Sequence, residues 1–156
     1  MRNTGVTISL FLSCVSFPAD ANWQFTQWDM GPAQVIAASQ GSAHLVSGGS
    51  GERLLGSELG AEGTYSARGF DFKSQFYFDN TGRLRVVKLT LMQQRCTDLQ
   101  QSLRGIYGSS VESSAKNTVW HDTEKGNRVR LTNNPDVSIN CFVLYTPLGS
   151  SGAGGL

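Results

Sequence analysis

The chain has 156 residues, a formal net charge of +1 at pH 7 and only 16% charged residues. This near-neutral balance gives no electrostatic reason to expect binding to nucleic acid or to an anionic membrane surface. The 18 glycines and the low charge favour strands and loops over a coiled coil, and the length suits one domain with its own hydrophobic core.

The first part of the chain has the layout of a secretory signal peptide. Arg2 gives a positive start, residues 6–12 are largely apolar, and Ala19-Asp20-Ala21 matches a small-x-small cleavage site. The apolar run is shorter than the ~20 residues that span a bilayer, and no later segment of the sequence reaches that length. We therefore expect a signal peptide over residues 1–21, cleavage after Ala21, a periplasmic or secreted mature protein and no transmembrane segment after signal removal.

The mature chain is expected to begin with a strand, because apolar and polar side chains largely alternate over residues 23–28. A proline suits the first position of a helix, so a short helix is predicted over residues 32–39. Residues 40–63 are rich in glycine and serine. Two apolar islands within them, at 44–46 and 53–55, indicate either short edge strands or an ordered loop.

The clearest predicted strand covers residues 70–78. One face is aromatic and the other is expected to be wet; the first set is Phe70, Phe72, Phe76 and Phe78, and the second is Asp71, Lys73, Gln75 and Tyr77. Residues 80–82 predict a three-residue hairpin loop that sets Phe76 opposite Val86 on the return strand. Val86 and Val87 are both apolar, so either both faces are covered there or a β-bulge interrupts the strand.

Two cysteines remain in the mature chain, because Cys14 lies in the predicted signal peptide. Cys96 opens a predicted helix over residues 96–107 and lies on its apolar stripe. Cys141 lies on the inward face of a predicted strand near residues 138–145. Both side chains are thus expected to point toward one core, and disulfides persist in exported proteins. We predict a disulfide between Cys96 and Cys141, with two buried thiols as the alternative.

The predicted elements fall into two halves of the same pattern. Each half has a short helix followed by three strands, which lie near residues 64–68, 70–78 and 84–91 in the first half and near 118–121, 128–132 and 138–145 in the second. This pattern-level duplication predicts an α+β fold, an antiparallel sheet of about six strands with two short helices packed on one face. We expect a single domain over residues 22–148 and a disordered, glycine-rich tail over 149–156.

Four short phrases accompany this doubled pattern: Trp28 to Val35, Ile106 to Gly108, Trp120 to Asp122 and Gly126 to Val129. With them the chain resembles the β-lactamase inhibitor protein fold and the outer-membrane assembly lipoprotein family, which both use tandem units of helix and β-meander. The resemblance implies a binding or scaffolding role in the cell envelope. It carries over no functional residue.

The sequence contains no catalytic motif that stands out from its composition. His121 and Asp122 are neighbours on a predicted strand, so their side chains point to opposite faces and do not form a dyad. The serines lack a nucleophile elbow, and two histidines without further ligands at zinc spacing argue against a metal site. We predict no enzyme, no metal and no cofactor. The alternatives are a small hydrolase with two carboxylates in one pocket and a small-ligand binder with an enclosed apolar cavity.

Two groups of residues are candidates for an interaction surface: the strand cations Arg83, Arg85, Lys88, Arg128 and Arg130, and the tryptophans Trp23, Trp28 and Trp120. The cations either form a basic stripe for an acidic partner or polysaccharide or are ordinary solvent-facing charges. The tryptophans either anchor the helices in the core or are exposed hot spots for a partner. The sequence therefore predicts a non-enzymatic exported domain that binds a protein or envelope component. The second hypothesis is an inhibitor of a secreted hydrolase.

Overall fold

The computed structural model describes residues 23–48, 50–134 and 141–149, and within them the chain has an α+β fold with two helices and nine strands. The predicted signal peptide and all but the first residue of the predicted tail lie outside the described residues. The elements are α1 (Pro32–Ala38), β1 (Ala43–Leu45), β2 (Arg53–Leu54), β3 (Ser57–Ala67), β4 (Phe70–Phe78), β5 (Leu84–Leu91), α2 (Cys96–Tyr107), β6 (Glu112–Ser113), β7 (Asn117–Asp122), β8 (Asn127–Asn133) and β9 (Cys141–Pro147).

The strands form one antiparallel sheet in the order β1-β3-β4-β5-β9-β8-β7-β6, and β2 pairs with β3. The last strands of the two halves, β5 and β9, meet at the centre, so the duplicated pattern is present in the topology. The prediction of about six strands is wrong in number. The three further strands, β1, β2 and β6, have only three, two and two residues, too few for a period-2 pattern to reveal.

Both helices pack on the same face of the sheet. Val35 of α1 and the stripe residues Leu99 and Leu103 of α2 are buried in one core cluster with the phenylalanines of β4. Helix α2 has the predicted bounds, and it ends where Gly108 takes a positive φ of 73° that suits glycine. In α1, the backbone N–H of Gly31 donates to the Gln34 side chain at 2.8 Å, which satisfies one free group at the helix start.

The predicted first strand is wrong. Trp23 and Thr26 form an isolated bridge around a tight turn, in which Gln24 has a positive φ of 49°. The turn places the Trp23 ring 5.1 Å from that of Tyr65 and 5.8 Å from that of Phe76, measured between centroids. The spaced aromatic residues of this segment therefore cap the core instead of pairing with a strand.

The β4–β5 hairpin contains a bulge that corrects the predicted register. The pairing shifts by one residue beside Arg85, so that Phe76 lies opposite Val87 and not opposite Val86. Both valines are nevertheless buried, one in the helix-side core and the other in a smaller cluster on the opposite face. Both alternatives offered for this pair thus hold at once: a bulge is present, and both faces of β5 are covered.

The face of the sheet opposite the helices, here called the open face, is only partly wet. Tyr77 has no exposed surface and Gln75 is buried, against the prediction of a wet face on β4. The smaller cluster, which consists of Leu59, Tyr77, Val86 and Leu144, is covered by Val46, Leu54 and Phe142. Val46 and Leu54 belong to the glycine- and serine-rich segment, which folds over this face instead of extending into solvent.

The predicted disulfide is present in the structure. The Sγ atoms of Cys96 and Cys141 lie 2.04 Å apart and their Cα atoms 5.7 Å apart. The bridge joins the first residue of α2 to the first residue of β9. It therefore fastens the second helix to a strand at the junction of the two halves.

Candidate functional site

The four candidate arginines do not form a single stripe. Arg85 occupies the bulge, where its guanidinium pairs with Asp79 and with Asp29, each at 2.9 Å. Arg83 also lies 3.9 Å from the Asp29 carboxylate. These two cations are therefore matched by carboxylates, and they tie the turn that precedes α1 to the β4–β5 hairpin.

Asp79 is central to these contacts, and it makes the stability of the hairpin depend on pH in the acid range. Its carboxylate accepts hydrogen bonds from the Thr81 hydroxyl at 2.6 Å, from the Arg85 guanidinium, and from two backbone N–H groups of the turn. These bonds favour the charged carboxylate and hold the pKa of Asp79 well below its usual range. The stabilisation is complete above the unfolded-state pKa, near 4, and is lost as pH falls toward the lower folded-state value.

We expect Asp79→Asn to lower the free energy of unfolding by roughly 1–2 kcal/mol at pH 7, because it weakens charge-assisted hydrogen bonds. The difference from the wild type should shrink as pH falls below about 4, where the wild-type carboxylate begins to lose the same advantage. Urea unfolding of both proteins at pH 7 and pH 2.5 measures this difference. A difference that stays constant between the two pH values contradicts the assignment.

Arg128 and Arg130 lie together on β8 and face the open side of the sheet. In the register, Arg130 lies between Val119 of β7 and Leu144 of β9, both buried. Arg128 is 3.4 Å from the Glu112 carboxylate. Arg130 has no such pair within the described residues, and its buried Nε has no hydrogen-bond partner there. Burial, with the nearby charge of Arg128, lowers the pKa of Arg130.

Lys88 completes this cationic group from β5, which β9 separates from β8. Lys88 lies opposite Leu144 of β9. One row across four strands therefore contains Lys88, Leu144, Arg130 and Val119. The Lys88 ammonium is 5.5 Å from the centroid of the Phe142 ring and 3.8 Å from the Glu52 carboxylate. We call Lys88, Arg128 and Arg130 the basic patch. Its cations alternate with buried apolar side chains.

The glycine- and serine-rich segment that covers the small cluster passes beside this patch at Glu52. The Tyr77 hydroxyl donates a 2.5 Å hydrogen bond to Glu52, the residue before β2. Burial and this bond raise the pKa of Tyr77. Sequence reasoning missed the Glu52–Tyr77 contact. The apolar islands of the glycine-rich segment and the adjacent apolar pair Val86 and Val87 were signals only that this face is covered.

The three tryptophans lie in the helix-side core or pack against it. Trp23 is 4% exposed and Trp120 is fully buried. The Trp120 indole N–H donates to the Gly108 carbonyl at 3.1 Å, and that of the half-buried Trp28 donates to the Asn127 side chain at 3.0 Å. Indoles that are buried and hydrogen-bonded hold elements together, and they present little surface to a partner.

A cleft of about 340 Å³ lies between the end of α2 and the β7–β8 turn, lined by Ile106, Tyr107, His121, Asp122, Thr123, Glu124 and Lys125. His121, Thr123 and Glu124 are exposed. The Asp122 carboxylate accepts a hydrogen bond from the Lys125 backbone at 3.2 Å and so closes the turn. The cleft thus offers two carboxylates in an open, polar setting and no buried set of histidine, carboxylate and nucleophile. Because the cleft is open and polar, it is not the enclosed apolar cavity that the small-ligand alternative requires.

Among the residues that the structure describes, no group of three or more histidine, cysteine, aspartate or glutamate side chains is placed to hold a metal ion. The helices of the same residues include none long and apolar enough to cross a membrane. No protein-family model, curated protein or solved structure matches the chain.

Proposed function

We propose that the mature chain is an exported, non-enzymatic domain that binds a protein partner through the open face of its sheet. The observation that carries the proposal is Arg130, a half-buried cation among apolar side chains without an ion pair in the described part of the chain. Protein interfaces commonly combine an arginine anchor with a desolvated apolar surround. The helix-side face is already occupied by the protein's own core.

Export is the first part of the proposal, and it makes a direct prediction. Secretory signal peptides are removed after a small-x-small site, so the exported protein should begin at Asn22. N-terminal sequencing of the protein recovered from the cell envelope or medium measures this. An intact Met1 start on the exported form contradicts the proposed signal peptide. The disulfide is compatible with an oxidising compartment.

Binding through the open face is tested by affinity capture from an envelope extract, with tagged wild type and two variants. Thr146→Trp places a bulky side chain on the open face, since Thr146 lies opposite Arg128. Gln101→Trp places the same side chain on an exposed position of α2. We expect wild type and Gln101→Trp to capture one partner stoichiometrically, and Thr146→Trp to lose it. Absence of a stoichiometric partner, or equal capture by all three proteins, contradicts the proposal.

An inhibitor of a secreted hydrolase is a second candidate, favoured by the β2–β3 turn. Leu55 at this turn is 54% exposed and has a positive φ of 50°. The Arg53 guanidinium donates to the Gly56 carbonyl at 2.9 Å, which holds the turn in shape. An ordered turn with an exposed apolar tip suits insertion into an active site. If the captured partner is a hydrolase, Leu55→Ala should weaken its inhibition at least tenfold, and an unchanged inhibition constant excludes this turn.

A further inference from the structure

We propose that the basic patch is a carboxylate-binding site, and that the partner supplies an extended segment with alternating acidic residues that lies along β8. This inference rests on the proposed function, because it names the chemistry of the partner at the same face. Arg130 is the anchor of the site. Arg128, two residues before Arg130 on the same strand, sets the direction of the bound segment, and Lys88 of β5 adds positive charge at its side.

Arg130 carries a hydrogen-bond donor that the described part of the chain leaves unsatisfied. Its Nε is buried and lacks a hydrogen-bond partner in the described part of the chain, and its strand neighbours Val119 and Leu144 offer no side-chain acceptor. A buried donor without a partner is unfavourable. A guanidinium presents Nε–H and Nη–H groups in a fork that matches the two oxygens of a carboxylate. The Arg130 side chain is only partly buried, so a carboxylate from outside the chain would bind its accessible Nη–H groups and neutralise the charge beside the buried Nε.

Two carboxylates of the chain itself already contact the flanking cations of the basic patch. Glu52, just before β2, accepts a hydrogen bond from Tyr77 and lies 3.8 Å from the Lys88 ammonium. Glu112 on the short edge strand β6 lies 3.4 Å from Arg128. Glu112 belongs to the two-residue edge strand β6, and Glu52 precedes the two-residue strand β2 in the other half of the sheet. In the strand order, β8 with Arg130 lies between these two elements, and Arg130 has no carboxylate within ion-pair distance in the described part of the chain.

The spacing of Arg128 and Arg130 along β8 favours a peptide over other acidic molecules. Arg128 and Arg130 are two residues apart on one strand, so their Cα atoms are about 6.7 Å apart. Acidic side chains at alternate positions of an extended peptide repeat at the same distance and also point to one face. The intervening residues of such a peptide face away from the basic patch.

The inference is tested by ¹⁵N nuclear magnetic resonance titration of residues 22–156, which include the described fold. The probe is an acetylated and amidated Thr-Glu-Thr-Glu-Thr-Glu peptide, and its control has glutamine in place of glutamate. We expect the glutamate peptide to shift the Arg130 Nε–H signal and the backbone amides of β8, with binding weakened by added salt. The glutamine peptide should bind at least tenfold more weakly.

Two variants separate the charge of Arg130 from its packing. Arg130→Met keeps an unbranched apolar chain over Val119 and Leu144, and Arg104→Met removes the same charge from an exposed position on α2. We expect at least a tenfold loss of peptide affinity in Arg130→Met and no change in Arg104→Met, while both keep the wild-type amide spectrum elsewhere.

Equal binding of the two peptides, or equal affinity of Arg130→Met and wild type, overturns the inference. Inorganic phosphate or a sulfated polysaccharide that shifts the Arg130 signal where the glutamate peptide does not would overturn it too, and would assign the patch to another anion. Failure here is distinguishable from failure of the proposed function. If the peptide has no effect but wild type captures a partner that Thr146→Trp loses, binding through the open face stands and only the carboxylate site is rejected.

Discussion

Removal of the Cys96–Cys141 disulfide should lower the free energy of unfolding by roughly 3–4 kcal/mol. The two cysteines are 45 residues apart in sequence, and a cross-link of this span reduces the entropy of the unfolded chain by about that amount in the chain-entropy model. The measurement is urea unfolding of the mature wild type and of the Cys96→Ala/Cys141→Ala variant. The wild type under reducing conditions is the matched control, and it should unfold close to the variant.

The same measurement also tests whether the two halves of the sheet unfold together. The bridge joins α2 to β9, and β9 pairs with β5 of the first half and with β8 of the second. Loss of the bridge should therefore lower the stability of the whole domain in one cooperative transition. Equal stabilities of the oxidised wild type and the double variant, or a variant that loses only α2, contradicts this account.

Trp120→Ala should cost about 3–5 kcal/mol of stability, the range for a large side chain removed from a packed core. Trp120 has no exposed surface, and its ring lies 6.3 Å from that of Tyr107 at the end of α2. Trp120→Phe should cost less, because it keeps most of the volume; it loses the hydrogen bond to the Gly108 carbonyl and leaves a smaller cavity.

Thermal and urea unfolding of both Trp120 variants test this prediction, with Trp28→Phe as a control at a half-buried indole. The control also loses one indole hydrogen bond, the one to Asn127. We expect the smallest loss for Trp28→Phe and the largest for Trp120→Ala. A stable Trp120→Ala variant that fails only in partner capture would assign this residue to an interface and contradict the core position.

The sequence predicted the parts of the fold that repeat a pattern over several residues. The stripe on α2 and the aromatic face of β4 each repeat over at least three periods, so bounds and burial were predictable together. The disulfide followed from the same patterns, since they placed Cys96 and Cys141 toward one core. The α+β class and the doubled arrangement came from the order of these elements.

The rest depended on contacts between distant segments, which no local pattern encodes. Residues 23–28 alternate like a strand, but their aromatic rings pack against the core and Trp23 pairs only with Thr26 of the same segment. The alternation in β4 predicts that its second face is wet, and the sequence does not show that Val46 and Leu54, from a segment of low apolar content, cover part of it. Arg85 was grouped with Arg128 and Arg130, because the bulge that places it beside Asp79 is not visible from parity alone.

The central claim is that a protein partner binds the open face of the sheet. Hydrogen–deuterium exchange of the mature domain, alone and bound to the captured partner, tests it most directly. The account predicts slower amide exchange on binding in β8 and β9, residues 127–133 and 141–147, and unchanged exchange in α1 and α2. Protection confined to the two helices, with β8 and β9 unchanged, would contradict it.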